Sequence, residues 1–274
     1  MTTKRIDQLS VVLTSFAYRE QYFAELDGLL ATVREHHPDW PIVTGRGPVS
    51  GFELPTMEVE SPLGKCHWSL PVPFNLDGSM DDWRKINKMK AWWLAEVFSH
   101  FGHLANHCRR VLWIDADARL NGPLDIELDP ETEVVAGPWW RDPRHPDYES
   151  IAGGFLLFQG LSKGPVEGIL RTWSDTCIAH IQKLPDPPIV PWGDGDMEVL
   201  NLVLKDKPSS SETYKLIELD AGKYLGIVDH DGNPMPGALV DQWMMARKMK
   251  WPKDHDRNWP PPEESRRPSA SGKR

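Results

Sequence analysis

The sequence has few cysteines and no long apolar segment, and both scarcities exclude classes of protein. Cys66, Cys108 and Cys177 are widely spaced and form no CxxC pair, so neither a disulfide framework nor a zinc site is expected. No run approaches the roughly 20 apolar residues of a membrane helix. We expect no secretory signal peptide, because Thr14 and Ser15 interrupt the first apolar stretch. These features predict a protein of a reducing, cytoplasmic compartment.

Basic residues are also in deficit. The 274 residues include 31 Lys and Arg against 40 Asp and Glu, a formal net charge of −9, which argues against a broad basic surface for nucleic acid. A hydrophobic content of 40% fits a globular chain, and the length suits one large domain. We expect that domain at residues 1–251 and a disordered, proline-rich tail at 252–274. Tryptophan is the one clear excess, with 13 residues.

The hydrophobic pattern alternates between the periods of strands and helices. It opens with a β-rich run at 9–17, apolar residues at helical spacing over 23–33 and a short strand at 41–44, which predicts a βαβ unit. Glycine and proline predict a turn at 45–48 and a loop at 61–79. The further predicted elements are helices at 79–101, 165–182 and 195–204 and strands at 111–114, 133–136 and 154–158. This order predicts an α/β sandwich with a mostly parallel central sheet flanked by helices.

The apolar strand at 111–114 ends in two carboxylates, Asp115 and Asp117. Side chains two residues apart on a strand share a face. Ligands of open α/β sheets bind beyond the carboxyl ends of the strands, so this pair is suited to a hard divalent cation and, through it, a diphosphate. An ordinary acidic turn has the same composition.

This segment resembles the DxD motif of nucleotide-sugar glycosyltransferases with the GT-A fold, a Rossmann-like sandwich. The resemblance implies that Asp115 and Asp117 bind Mn²⁺ or Mg²⁺ together with the donor diphosphate, and it favours a UDP-sugar donor. Residues 151–158 resemble the small-residue turn of the same family, where the backbone of Gly153 and Gly154 approaches the donor sugar. A strand with a glycine bulge gives the same pattern.

Residues 194–201 are similar to the acidic helix start, often written DQDxLN, of family-eight-like retaining transferases. The resemblance makes Asp194 and Asp196 the expected catalytic carboxylates. Met197 stands where that pattern has Gln, and Glu198 where it has the second Asp, so the stereochemistry of transfer stays open. A charge cluster favoured by the helix dipole would place the same residues there.

Residues 227–232 resemble the late His-containing segment in which the family's third metal ligand lies. The resemblance makes His230 that ligand, and an imidazole nitrogen shifts the metal preference toward Mn²⁺. A lone histidine in a polar turn is also commonly just exposed.

The end of the first strand faces the nucleoside in this family, and the resemblance implies donor contacts there. The residues concerned are Thr14, Phe16, Tyr18 and Arg19. Tyr18 is suited to stack on the base and Arg19 to reach the diphosphate. The helix before the metal strand is expected to place a basic residue near the donor phosphates. The candidates are Lys85, Lys88 and Lys90, and we favour Lys88.

Several tryptophans lie near the predicted site. Trp139 and Trp140 belong to a predicted loop at 137–146, and Trp192 precedes the acidic helix start. An indole offers a large flat apolar face and one N–H donor, so these residues are candidate acceptor contacts. Ordinary partly buried tryptophan is the alternative.

The resemblance implies a metal-dependent glycosyltransferase that moves a sugar to a hydroxyl acceptor, by default a saccharide or small glycoside. In an inverting enzyme Asp194 or Asp196 would be the base for the acceptor, and in a retaining enzyme they would stabilise the donor. A hydroxylated base in DNA, as in phage DNA glucosylation, is an alternative acceptor that the net charge disfavours. A nucleotidyltransferase would need a glycine-rich loop, and residues 14–20 contain no glycine. A non-catalytic carbohydrate-binding protein would explain only the tryptophans.

Overall fold

The computed structural model describes residues 3–71, 80–105, 108–141, 149–183, 195–206, 214–227 and 238–242. The predicted tail at 252–274 lies outside them. The strands are β1 (Lys4–Arg5), β2 (Val12–Tyr18), β3 (Ile42–Val49), β4 (Thr56–Ser61), β5 (Gly64–Ser69), β6 (Arg109–Ile114), β7 (Ala118–Leu120), β8 (Glu127–Leu128), β9 (Val134–Arg141), β10 (Glu149–Ile151), β11 (Phe155–Gly160), β12 (Lys215–Asp220), β13 (Gly226–Ile227) and β14 (Val240–Gln242). The helices are α1 (Phe23–His36), α2 (Met80–Phe101), α3 (Pro165–Lys183), α4 (Asp196–Asp206) and α5 (Ala221–Tyr224), with short 3₁₀ turns at Ile6–Gln8, Glu20–Tyr22 and Gly102–Ala105.

One large mixed sheet organises the molecule. Its strand order is β10-β9-β11-β6-β2-β3-β4-β5, and β12 pairs with β9. The prediction of a mostly parallel sheet holds only for the β3-β2-β6 centre and for β12 beside β9, because the other pairings in this sheet are antiparallel. The connections explain the difference: a helical crossover returns the chain in the same direction, whereas the short links from β3 to β5 and from β9 to β11 reverse it.

Helices cover both faces of this sheet, as predicted for an α/β sandwich. Helices α2, α3 and α4 pack together over one face, and α1 packs on the other against β2 and β7. The apolar spacing of α2 predicts a core face of Ile86, Met89, Trp93 and Val97: the last three are buried, and Ile86 is partly buried against the same core. Among the described residues, no helix combines the length and the apolar character needed to cross a bilayer.

Three segments predicted as turns or loops belong to strands instead. Residues 45–48 continue β3, residues 64–69 form the edge strand β5, and residues 137–141 continue β9. At Gly45 a Cβ atom would lie 2.7 Å from Cη2 of Trp93, so this glycine allows close packing and marks no turn. Strand β5 is almost entirely exposed, and its polar sequence therefore lacks the apolar alternation by which strands are recognised.

The tryptophan excess mostly serves the interior in the part of the chain that is described. Trp93 and Trp173 are fully buried, and Trp40, Trp92 and Trp113 are less than a tenth exposed. The ring of Trp68 on β5 packs against those of Trp92 and Trp93 on α2, which also contact each other. These indoles stabilise the core and are not available as sugar-stacking surfaces.

Glu167, in the first turn of α3, joins α3 to α2 and β6. Its carboxylate accepts hydrogen bonds from Ser99 Oγ (3.0 Å), the Lys163 backbone N–H (2.7 Å) and Arg171 (2.6 Å), and it lies 3.5 Å from Arg109 Nη1. Burial alone raises the pKa of Glu167, but the hydrogen bonds outweigh burial and hold the pKa below its ordinary value of 4.5.

We expect Glu167→Gln to destabilise the protein at neutral pH by about 1 to 2 kcal/mol, because the bonds to the charged carboxylate are weakened. A carboxyl group with a lowered pKa stabilises the fold above its unfolded pKa, and this contribution is lost as the pH falls through the folded pKa. The difference in the free energy of unfolding between Glu167→Gln and the wild type should therefore become smaller below a pH of about 4.5. Urea unfolding between pH 7 and pH 3 measures it, with exposed Glu218→Gln as the control. A difference that does not vary with pH would contradict this assignment.

Candidate active site

The site forms where β6 ends beside β11. The backbone N–H of Asp115 donates to the carbonyl of Gly154 (3.0 Å), and Ile114 pairs with Phe155 in the ladder. The carbonyl of Asp115 accepts from the N–H of Ala118 (3.0 Å), which closes the turn containing Asp117. The DxD turn and the small-residue turn are therefore joined through the backbone.

Lys90 of α2 lies at the centre of the site. Its Nζ is 3.3 Å from Asp115 Oδ1, 3.1 Å from Asp196 Oδ2 and 3.1 Å from the carbonyl oxygen of Gly153, to which it donates a hydrogen bond. The ammonium also lies 5.3 Å from the ring centre of Trp113, a cation–π distance. One side chain thus joins three segments that are far apart in sequence.

The charges of this cluster are unequally exposed. The side chain of Lys90 is 10% exposed and that of Asp196 6%, whereas that of Asp115 is 23% exposed. Burial alone lowers the pKa of Lys90, but the carboxylates of Asp115 and Asp196 outweigh burial and raise that pKa above its ordinary value. Lys90 therefore stays charged, and Asp115 is the carboxylate that solvent reaches most easily.

Asp196 is fixed at the first residue of α4. Its backbone carbonyl accepts from Trp173 Nε1 (2.7 Å), and its carboxylate lies at the positive end of the helix dipole. The buried Oδ2 of Asp196 lies 3.1 Å from Lys90 Nζ, and the two groups form an ion pair. In this arrangement Asp196 faces Lys90, and its catalytic assignment stays a prediction.

The start of α4 is locked against the small-residue turn. A Cβ atom at Gly153 would lie 2.6 Å from Met197 Sδ and 3.1 Å from Lys90 Nζ, so only glycine allows this approach. Asn201 of α4 donates to the Met197 carbonyl (2.8 Å) and accepts from the Ile151 N–H (3.4 Å). The carbonyl of Gly153 accepts a hydrogen bond from Lys90, and that of Gly154 accepts one from the backbone N–H of Asp115. The contact of these two glycines with the donor sugar stays a prediction.

The donor-binding residues predicted on β2 lie largely in the core. Thr14 Oγ1 donates to the Val43 carbonyl (2.8 Å) and accepts from Trp93 Nε1 (2.7 Å), and both atoms are buried. Phe16 packs between the rings of Trp93 and Trp113, and Tyr18 is 3% exposed. Arg19 is half-buried and has a φ of 98°, in the left-handed region. Their contact with a nucleotide stays a prediction.

The structure describes the side chains of only some of the remaining predicted residues. Lys88 is fully buried on α2, Lys85 is half-buried, and Trp139 is partly buried against the core. Trp140 belongs to β9, but its side chain is not described. Asp194, Trp192 and His230 lie outside the described residues, so the predicted base, acceptor contact and third metal ligand are untested.

The donor atoms present suit a hard cation. Asp115 and Asp117 supply carboxylate oxygens, the ligands that Mg²⁺ and Mn²⁺ accept, and both residues are partly exposed. Over the described part of the chain, no group of three or more His, Cys, Asp or Glu side chains forms a ligand set. Asp115 and Asp117 are thus the described residues that could hold a cation, and the third ligand that the resemblance implies, His230, stays a prediction.

Two members of this cluster were not singled out from the sequence. Among the three candidate lysines the sequence analysis favours Lys88, because helical spacing does not show which of them turns toward the strand ends; the structure places Lys90 there. Trp113 was counted only as part of an apolar strand, although a residue two positions before Asp115 shares its face. That periodicity was the available signal.

Comparisons with known proteins give little further information. No protein-family model matches the sequence, and no curated protein matches it. The chain is similar to the crystal structure of a glycosyltransferase involved in the glycosylation of the major capsid of PBCV-1. The two chains are 12% identical with a TM-score of 0.49, and the match covers 90% of this chain and 99% of that one.

Proposed function

We propose that this chain is a metal-dependent glycosyltransferase that transfers a sugar from a nucleotide-diphosphate sugar, preferably a UDP-sugar, to a hydroxyl group of a saccharide or small glycoside. One observation carries the proposal: the ammonium of Lys90 lies within 3.3 Å of an oxygen from each of Asp115, Gly153 and Asp196. These residues belong to three segments that resemble motifs of one enzyme family. Segments that resembled the family only by chance would not be expected to meet at the buried ammonium of one lysine.

The position of the cluster also supports the proposal. Asp115 follows the carboxyl end of β6, which runs parallel to β2 in the middle of the sheet. This is the edge at which open α/β sheets bind ligands. Because the ammonium of Lys90 and the carboxylates of Asp115 and Asp196 are largely shielded from water, their charges interact more strongly than charges on the surface would.

The residues have separable roles in this proposal. Asp115 and Asp117 hold the cation, with His230 as the predicted third ligand. The cation, when bound, neutralises the charge that develops on the leaving diphosphate. Lys90 fixes the orientation of Asp115, and Asp196 fixes Lys90. Asp194 or Asp196 is the proposed base for an inverting reaction.

A non-catalytic carbohydrate-binding protein is less well supported. Most tryptophans with described side chains are buried and cannot stack on a sugar. Of the three candidate acceptor contacts, only Trp139 has a described side chain, and it is partly buried against the core. We therefore retain this function only as the reading that a negative result would favour.

The test is a thermal-shift panel of UDP-, GDP-, dTDP- and ADP-sugars, each with Mn²⁺ and with EDTA. We expect one nucleotide family to raise the Tm of the wild type in Mn²⁺ only, because ligand that binds the folded state stabilises it. Asp117→Asn should abolish this shift because the amide cannot replace the charged ligand oxygen. Asp125→Asn is the matched control, since Asp125 pairs with Lys223 outside the cluster (2.6 Å).

Two results would contradict the proposal. A folded wild type that no nucleotide sugar stabilises in either condition has no donor site of this kind. A nucleotide shift of equal size in Asp117→Asn, or one unaffected by EDTA, would remove the cation from the account. Stabilisation by free saccharides alone would favour the binding protein.

A further inference from the structure

The indole of Trp113 contacts both charged groups on the inner side of the site. Its Nε1–H donates to Asp115 Oδ1 at 2.7 Å, and its ring centre lies 5.3 Å from Lys90 Nζ. The residue is only 2% exposed. One uncharged side chain therefore acts on the carboxylate through its edge and on the ammonium through its face.

The indole N–H of Trp113 and the ammonium of Lys90 meet at the same oxygen of Asp115. Trp113 Nε1 and Lys90 Nζ lie 2.7 Å and 3.3 Å from Oδ1. A carboxylate held at one oxygen from two directions is restrained in its rotation about the Cβ–Cγ bond. The direction in which Asp115 presents its oxygens is thus set before any ligand arrives, which reduces the entropy lost on binding.

Trp113 is itself held rigidly. It lies in β6, which is hydrogen-bonded to β2 on one side and β11 on the other. The ring of Phe16 packs against the indole with centroids 5.3 Å apart and planes inclined by 59°. A side chain fixed by its strand and by its neighbours is suited to orient another group.

Trp93 provides an internal comparison. It is also buried, it packs on the same Phe16 ring at 5.8 Å, and its Nε1 donates over the same distance of 2.7 Å. Its acceptor is the hydroxyl of Thr14, a neutral group of the core. The two tryptophans thus differ in whether the hydrogen bond ends on the site carboxylate and in the contact of the Trp113 ring with Lys90.

We propose that Trp113 is a positioning residue that orients the carboxylate of Asp115 for the cation and the diphosphate that the cation holds. This inference rests on the proposed function, because it takes Asp115 to be a cation ligand. Groups that hydrogen-bond to metal-binding side chains typically change metal affinity by about tenfold or more when they are removed. The indole N–H is such a group.

The test compares Trp113→Phe with Trp93→Phe, since each keeps an aromatic ring and removes one indole N–H. We expect both variants to lose stability to a similar extent in urea unfolding. Binding of Mn²⁺ alone, followed by EPR of the free ion, should separate them: about tenfold weaker binding for Trp113→Phe and less than about twofold for Trp93→Phe. A second readout is the indole N–H resonance of Trp113 in the wild type, which should shift on titration with diamagnetic Mg²⁺ more than that of Trp93.

The possible failures are distinguishable. If the wild type binds Mn²⁺ and the two substitutions lower the affinity for Mn²⁺ equally or not at all, the positioning role is wrong and the proposed function stands. If the wild type binds no Mn²⁺ without nucleotide, the positioning role fails, and the thermal-shift panel with nucleotide sugars decides the proposed function separately. If Trp113→Phe does not fold, the resonance decides: a Trp113 signal that Mg²⁺ leaves in place overturns the inference.

Discussion

Replacing Lys90 with methionine is expected to lower the free energy of unfolding by about 3 to 5 kcal/mol, the cost of leaving a buried charge without its partner. The carboxylate of Asp196 is 6% exposed and lies 3.1 Å from Lys90 Nζ, so it cannot regain solvent when the ammonium is removed. Asp115 would lose the ammonium that lies 3.3 Å from its Oδ1. The variant should therefore also lose the cation-dependent nucleotide shift. Urea unfolding and the thermal-shift panel measure the two effects.

A double-mutant cycle assigns this loss to the ion pair. In Lys90→Met/Asp196→Asn the buried charge is gone together with its partner, so the double variant should be more stable than the sum of the single losses predicts, by about 2 kcal/mol. Lys65→Met is the matched control. Lys65 also lies near two carboxylates, Glu58 at 3.3 Å and Glu60 at 3.8 Å, but its side chain is 61% exposed. Its loss should cost less than about 1 kcal/mol.

Either of two results would contradict this account of Lys90. A loss as small as that of Lys65→Met would mean that the ammonium is not needed to neutralise Asp196. Additive effects in the cycle would mean that the two side chains act independently, despite their distance.

Gly153→Ala is expected to have the second largest effect, a loss of about 1 to 3 kcal/mol together with weaker nucleotide binding. The new Cβ would lie 2.6 Å from Met197 Sδ and 3.1 Å from Lys90 Nζ. Met197 would have to withdraw, and Lys90 would move from the position in which it contacts Asp115 and Asp196. Urea unfolding and the same thermal-shift panel check the prediction.

Shortening the neighbour should relieve the clash. Gly153→Ala/Met197→Ala should bind nucleotide better than Gly153→Ala, although the cavity left by methionine has its own cost in stability. Gly122→Ala is the control, because a Cβ there would meet Leu239 Cδ2 at an ordinary contact distance of 3.6 Å. If Gly122→Ala and Gly153→Ala behave alike, close packing at the small-residue turn is not a requirement of the site.

Much of the fold could be predicted because hydrophobic period is a local property. The bounds of α1, α2, α3 and α4 follow the apolar spacing within a few residues, and β2-α1-β3 is the expected parallel unit. Strand direction beyond the centre could not be predicted, since it depends on which short links reverse the chain. Gly45 illustrates the limit: its neighbour Trp93 is 48 positions away, so a glycine that fits a distant ring has the signature of a turn.

The site was predictable as a set of segments but not as a set of contacts. Asp115 is predicted from its place after an apolar strand, and Gly153 and Asp196 from the resemblance of their segments to motifs of one family. The structure brings all three to Lys90. The choice among the lysines of α2 depends on how the helix is rotated over the sheet, which packing against the sheet and α3 decides. Trp113 could not be predicted as a site residue, because a tryptophan in an apolar strand is expected simply to pack in the core. Its hydrogen bond to Asp115 depends on the geometry of the strand end, which the sequence does not give.

The most direct test of the central claim is the release of nucleoside diphosphate from the nucleotide sugar that binds. The wild type is incubated with that donor, Mn²⁺ and a mixture of saccharide acceptors, and the nucleotide is analysed by chromatography. The account predicts conversion of the donor to nucleoside diphosphate, stopped by EDTA and by Asp117→Asn but not by Asp125→Asn. A donor that binds in a Mn²⁺-dependent manner and is recovered intact from every mixture would contradict glycosyl transfer.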